Sequence, residues 1–153
     1  DKARHYEHSE LGYNYRMSNV LAGIGRGQLK VLDRRLAQKK HIFEFYKENL
    51  SHLEGLEMMP VNDWNEPNFW LSCITLSGKV KPLKILEALE RENIESRPIW
   101  KPMHMQPFYR DCDFIGSGVS QKIFEHGLCL PSDTKMTDDD LNRICEIIKG
   151  VWR

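Results

Sequence analysis

Asn14 and Arg16 stand two residues apart in the segment Gly12-Tyr13-Asn14-Tyr15-Arg16-Met17, and an amide beside a guanidinium suits an anionic ligand. The Asn14 side chain is able to donate to a phosphate, or to close an Asx turn on its own backbone in a glycine-led loop. Arg16 carries a forked donor that stays charged. It either grips an anionic substrate group or anchors its loop to a carboxylate such as Glu7 or Glu10. Further along, His104 lies between Pro102 and Pro107, where stiff backbone would hold the ring at a fixed angle, with Gln106 and Tyr109 close behind. Arg97, just ahead of that loop, offers a contact to a carboxylate or phosphate, or an ion pair with Glu95.

Other chemistries find no support. His5 and His8 form an HxxH with no further ligand in step, so no metal site is expected. No G-x-S-x-G, P-loop or HExxH occurs. Gly23, Gly25 and Gly27 do not make a dinucleotide fingerprint, because helix surrounds them and no strand precedes them. Lys plus Arg and Asp plus Glu each total 22, and no basic run stands out, so nucleic acid has no electrostatic footprint to bind. The longest apolar runs fall far short of the ~20 residues of a membrane span. Cysteines 73, 112, 129 and 145 contain no CxxC. Three of them sit in apolar strand or helix patterns, so buried free thiols and a cytoplasmic protein are expected.

The elements that must position these residues can be read from periodicity. Ser18 suits an N-cap. After it Val20, Leu21, Ile24, Leu29, Leu32, Leu36, Phe43, Tyr46 and Leu50 recur mostly at helical steps, which predicts one long amphipathic helix with Arg34, Arg35, Lys39 and Lys40 on its polar face. The three glycines near its start imply another segment packed close against it. Residues 69–76 read as a strand, Pro82 to Asn93 as a helix, Ile94 to Pro98 as a short strand, and 99–118 as a long loop of a length that usually makes contacts or carries function. Ser120 to His126 reads as a short helix closed by Gly127. Leu128-Cys129-Leu130 is a third strand, and Thr137-Asp138-Asp139-Asp140 starts a final helix with a near capping box. The expected class is α+β: a small antiparallel or mixed sheet with helices mainly on one side.

Three stretches in order, Gly12-Tyr13-Asn14-Tyr15-Arg16-Met17, Trp100-Lys101-Pro102-Met103-His104-Met105-Gln106-Pro107-Phe108-Tyr109 and Gly127-Leu128-Cys129-Leu130-Pro131-Ser132, resemble the C-terminal part of the DegT/DnrJ/EryC1/StrS sugar aminotransferases. The resemblance implies the small C-terminal domain of a fold-type-I enzyme over residues 18–153. Residues 1–17 would be an interface arm at the end of a large domain that holds the reactive lysine and lies outside the chain. It implies pyridoxal phosphate as cofactor, and transfer of an amino group from glutamate to a nucleotide-linked keto sugar, in a homodimer. Asn14 would reach the cofactor phosphate of the partner subunit, with Arg16, Arg97, His104 and Tyr109 on the substrate side. No lysine here, Lys79, Lys81 and Lys101 included, has the surroundings of the family's cofactor lysine, so no catalytic residue is assigned and the chain alone is expected to be inactive. Two alternatives stay open: a related sugar dehydratase branch in which that lysine is replaced, and a non-catalytic α+β module whose aromatic and proline-rich loop docks a protein partner.

Overall fold

The computed structural model describes residues 13, 15–109 and 111–153. The chain divides into two compact units, residues 1–33 and 34–153. In the first, Ser18 caps α1 (Asn19–Leu29): its Oγ accepts the Leu21 N–H at 3.3 Å. No residue of α1 is buried. A Cβ built on Gly23, Gly25 or Gly27 meets no described atom within 4 Å, so the close-packed segment expected there is not found among the described residues.

The expected single helix is two. α2 (Leu32–Leu50) begins after a turn at Lys30 and Val31, where the Val31 N–H donates to the Gln28 carbonyl three residues back rather than four. That shorter bond interrupts the α ladder. Gly25 and Gly27 lie just upstream, each about 1 kcal/mol less favourable in a helix than Ala, so the segment near the break is intrinsically weak.

The second unit is built on an antiparallel sheet of order β1-β2-β4-β3, with β1 (Leu56–Met58), β2 (Ser72–Leu76), β3 (Arg97–Pro98) and β4 (Gly127–Leu130). One strand more than expected is present, β1, paired with β2 through Leu56 opposite Leu76. Period-two alternation sends Ser72, Ile74 and Leu76 to one face, where they are buried. Against that face pack α2, α3 (Pro82–Arg91) and α5 (Asp138–Gly150): Ile42, Tyr46, Leu50, Ile85, Leu89, Leu141, Ile144, Cys145 and Ile148 form one core with Ile74, Leu128 and Leu130. α4 (Val119–His126) lies toward the opposite face, since its Ile123 and His126 border a space shared with Glu57 and Thr75.

Local signals fix the ends of these elements. Pro82 occupies the first turn of α3, where a missing N–H costs nothing. Thr137 and Asp140 complete a reciprocal capping box, Thr137 Oγ1 accepting from Asp140 N at 3.2 Å and the Asp140 carboxylate accepting from Thr137 N at 2.8 Å. Gly127 joins α4 to β4 because a Cβ there would meet the Ile123 carbonyl oxygen at 2.5 Å. Gly55 turns the chain into β1 with φ +77, a conformation open to glycine, and has Gly78 against it. The α+β class with a small antiparallel sheet stands.

Candidate functional site: the cleft at the edge strand

β3 is the edge of the sheet, and the cleft beside it holds about 630 Å³. Its walls include Leu71, Arg97, Trp100, Cys129 and Ser132. Arg97 and Cys129 are cross-strand partners, so both side chains leave the sheet on the face away from the helical core. Arg97 Nε donates to Glu95 Oε1 at 2.7 Å, and a second guanidinium nitrogen contacts the same oxygen. Both side chains are exposed, so the pair contributes little stability. Its consequence is local: an anionic ligand has to share the guanidinium fork with Glu95 or displace it. Trp100 faces Trp70 across the rim, ring centroids 5.9 Å apart.

The far wall is held by the stretch Leu130-Pro131-Ser132. Ser132 Oγ accepts the Ser72 N–H at 3.1 Å and donates to the Leu130 carbonyl at 3.0 Å, which satisfies the main chain at the start of β2. Tyr46, fully buried, donates its hydroxyl to the Pro131 carbonyl at 2.8 Å, and burial raises its ionisation above the ordinary range. Lys39 Nζ donates to the Trp70 carbonyl at 3.0 Å and also to that of Ser132. Desolvation lowers its pKa from the usual value, with Asp133 acting in the opposite sense. Lys39 therefore does not belong with the solvent-facing charges of α2: it ties the helix to both sides of the cleft wall. Its spacing from Ile42, Phe43 and Tyr46 follows the buried stripe, a signal present in the sequence that its charge disguised.

The Pro102–Pro107 loop stands beside this cleft without lining it. Two 3₁₀ turns, Met103–Met105 and Pro107–Tyr109, give it a fixed backbone. Gln106 Nε2 closes it on the Lys101 carbonyl at 3.2 Å. His104 stacks on Phe114 with centroids 3.7 Å apart and an interplanar angle of 19°. Its Nε2 is buried with no hydrogen-bond partner among the described residues. Tyr109 is half-buried, with Phe108 edge-on at 5.0 Å. Arg16 is exposed in the first unit, and Asn14 lies outside the described residues.

Neither a nucleophile held against a base nor a cluster suited to a metal ion is present among the described residues. They also do not make a complete holding site for pyridoxal phosphate. Lys39, whose proton affinity burial reduces, has its amino group committed to two main-chain carbonyls. Among the described residues no helix is long and apolar enough to cross a membrane.

Known proteins with the same features place the chain. The model of the DegT/DnrJ/EryC1/StrS aminotransferase family matches residues 1–149. EpsN of Bacillus subtilis (strain 168), which carries the name of a pyridoxal phosphate-dependent aminotransferase, is 43% identical over 152 residues, covering 97% of this chain and 39% of that protein. The GDP-perosamine synthase of Vibrio cholerae is 33% identical over 154 residues, covering 97% of this chain and 41% of the other. The chain thus spans about two fifths of the length of these curated relatives. Among solved structures, the aminotransferase TlmJ from Streptoalloteichus hindustanus superposes with a TM-score of 0.82 at 21% identity, over 95% of this chain and 39% of that one. DesV of S. venezuelae gives 0.83 at 18% identity, over 99% and 41%. These two likenesses show a shared fold, and aminotransferases of the family use pyridoxal phosphate. With the family match covering the sheet and its helical layer up to residue 149, the chain belongs to the DegT/DnrJ/EryC1/StrS aminotransferase family.

Proposed function

We propose that this chain is the small C-terminal domain, residues 18–153, with an interface arm over residues 1–17, of a cytoplasmic aminotransferase that works as a homodimer. The reaction moves an amino group from glutamate to a keto sugar carried on a nucleotide. The observation that carries this reading is the family match over residues 1–149, together with a GDP-perosamine synthase at 33% identity across nearly the whole chain. Pyridoxal phosphate, when bound, supplies the electron sink of such a transfer, and the lysine that holds it belongs to the large domain.

The chain's own contribution is binding and enclosure. Arg97, at the mouth of the cleft, takes a substrate phosphate by exchanging it for Glu95, a swap that a planar fork makes easy. Trp100 and Trp70 give flat apolar walls. His104, stiffly mounted, turns its unpartnered Nε2 toward a substrate hydroxyl when the small domain closes, and Tyr109 lies beside it. Arg16 and Asn14 act from the arm, Asn14 on the cofactor phosphate of the partner subunit. A second reading, an α+β module that docks a protein partner, draws on the exposed Phe108 and Ile115 of the long loop.

The test is a titration of the 153-residue chain with pyridoxal phosphate, followed by visible absorbance, borohydride trapping and peptide mapping. No specific lysine adduct is expected. A single stoichiometric adduct at one mapped lysine would sink the domain assignment, because a complete cofactor site would then lie within the chain. In a protein carrying both domains, Arg97→Ala is expected to raise the KM for the nucleotide sugar more than it lowers kcat. Unchanged kinetics would remove Arg97 from the substrate side.

A further inference from the structure

Two of the four cysteines face each other across the middle of the sheet. Cys73 of β2 is the register partner of Cys129 of β4, and their sulfurs are 3.7 Å apart. The kind of pairing follows from the neighbouring ladder. The Cys73 carbonyl accepts the Met59 N–H at 2.8 Å on the β1 side, and the Ser77 N–H donates to the Gly55 carbonyl on that same side. A residue in a strand points its N–H and C=O to one side together, so the main-chain groups of Cys73 are turned away from β4. Cys73 and Cys129 therefore form a non-hydrogen-bonded antiparallel pair, the site type in which opposed Cα atoms come closest, about 4.5 Å. That separation falls inside the range a disulfide spans, about 4.4–6.8 Å, at its short end.

We propose that Cys73 and Cys129 are a reversible dithiol–disulfide couple, oxidised by a small peroxide to a cross-strand bond between β2 and β4. The step balances with hydrogen peroxide as oxidant. One sulfur, as thiolate, attacks a peroxide oxygen: the O–O bond breaks, a sulfenic acid forms and hydroxide leaves. The second sulfur attacks the first, the S–O bond breaks and the S–S bond forms. Two thiols and one peroxide become one disulfide and two waters. The second attack has almost no distance to cover, because the sulfurs already touch.

The surroundings suit a couple that rests in the reduced form. Burial pushes the Cys73 thiol up to about 12, with the neighbouring Cys129 adding to the shift, and burial also raises Cys129. Both are slow nucleophiles near neutrality, so the pair stays unreacted until oxidant accumulates. Access is limited but real: Cys73 is half-buried, and Cys129 borders the 630 Å³ cleft. The row across the sheet runs Arg97, Cys129, Cys73, so the couple lies next to the guanidinium at the cleft mouth. Cys112, exposed, and Cys145, in the helical core, have no such partner among the described residues.

The experiment treats the chain with hydrogen peroxide, blocks remaining thiols by alkylation and maps the digest without reductant. The expected product has lost two hydrogens and contains a linked peptide pair joining Cys73 to Cys129, and dithiothreitol restores both thiols. Cys112→Ser should leave the link intact, whereas Cys73→Ser and Cys129→Ser should each abolish it. The wild-type map decides the matter even where a serine variant folds poorly. A disulfide to Cys112 or Cys145, or sulfinic and sulfonic acids at Cys73 without any link, overturns the proposal.

Discussion

α1 and α5 both carry apolar residues in a helical pattern and end in opposite situations. In α5, Leu141, Ile144, Cys145 and Ile148 are all buried, and the helix starts from a reciprocal capping box. In α1, Val20, Leu21, Ile24 and Leu29 are exposed, with Leu21 at 59%, and a single serine caps the first turn. Periodicity states that a helix has a face to bury. It does not state what buries it. For α5 that partner is the sheet, whereas for α1 the proposed function supplies it from the rest of the enzyme.

The sharpest way to break this comparison is truncation of matched apolar side chains. Leu141→Ala, in the core between α5 and the sheet, is expected to lose about 2–5 kcal/mol of unfolding free energy. Leu21→Ala should stay within about 0.5 kcal/mol in the same denaturant titration, because no buried contact is lost. Comparable losses at both sites would mean that α1 is packed in solution, and the contrast would fail.

A smaller effect is expected at the cleft wall. Ser132→Ala removes the acceptor of the buried Ser72 N–H and the donor to Leu130, at about 1–3 kcal/mol. A value near zero would show that water replaces the hydroxyl there, and the clamp assigned to Ser132 would have no energetic weight.

Helix capping comes next. Thr137→Ala should destabilise the second unit by about 1 kcal/mol, whereas Ser18→Ala should alter only the helicity of α1. The capping box also has a pH signature. The Thr137 N–H, and then its hydroxyl, hold the Asp140 carboxyl below its ordinary value. A depressed folded pKa stabilises the fold fully above the unfolded value of about 3.9 and loses that contribution as pH falls through the lower folded value. Asp140→Asn should therefore flatten this acid limb of the stability profile, and an unchanged limb would assign it to other carboxylates.

How far the sequence reveals the molecule depends on the distance over which each feature is determined. The capping box, the proline start of α3 and the alternating strand 72–76 are set within a few residues, and their residue types declare them. β1 is three residues long between Gly55 and Pro60, too short for a period, and exists because β2 offers it an edge. The break at Lys30 and Val31 hides inside an unbroken apolar pattern, since a turn of the 3₁₀ type keeps nearly the same facing. In the cleft, the Arg97–Glu95 pair spans two residues and is readable, while the stacking of His104 on Phe114 joins residues ten apart in a loop with no period to follow. Lys39 lies on the buried stripe, but a charge placed it in solvent by default, because the carbonyls of Trp70 and Ser132 that receive it come from distant parts of the chain.

The glycines of α1 give the smallest and most discriminating prediction. With no described atom within 4 Å of a methyl placed at Gly25, alanine there should meet no steric penalty and should favour the helix by about 1 kcal/mol. That is roughly a fivefold slowing of amide exchange across α1 in the chain alone, if the helix opens locally. α5 should be unaffected. Within an assembled aminotransferase the same methyl would enter whatever surface covers α1, so Gly25→Ala should weaken assembly there while it strengthens the helix here. Faster exchange in the chain alone would show that α1 already has a close neighbour, and the contrast between the two helices would then be one of degree.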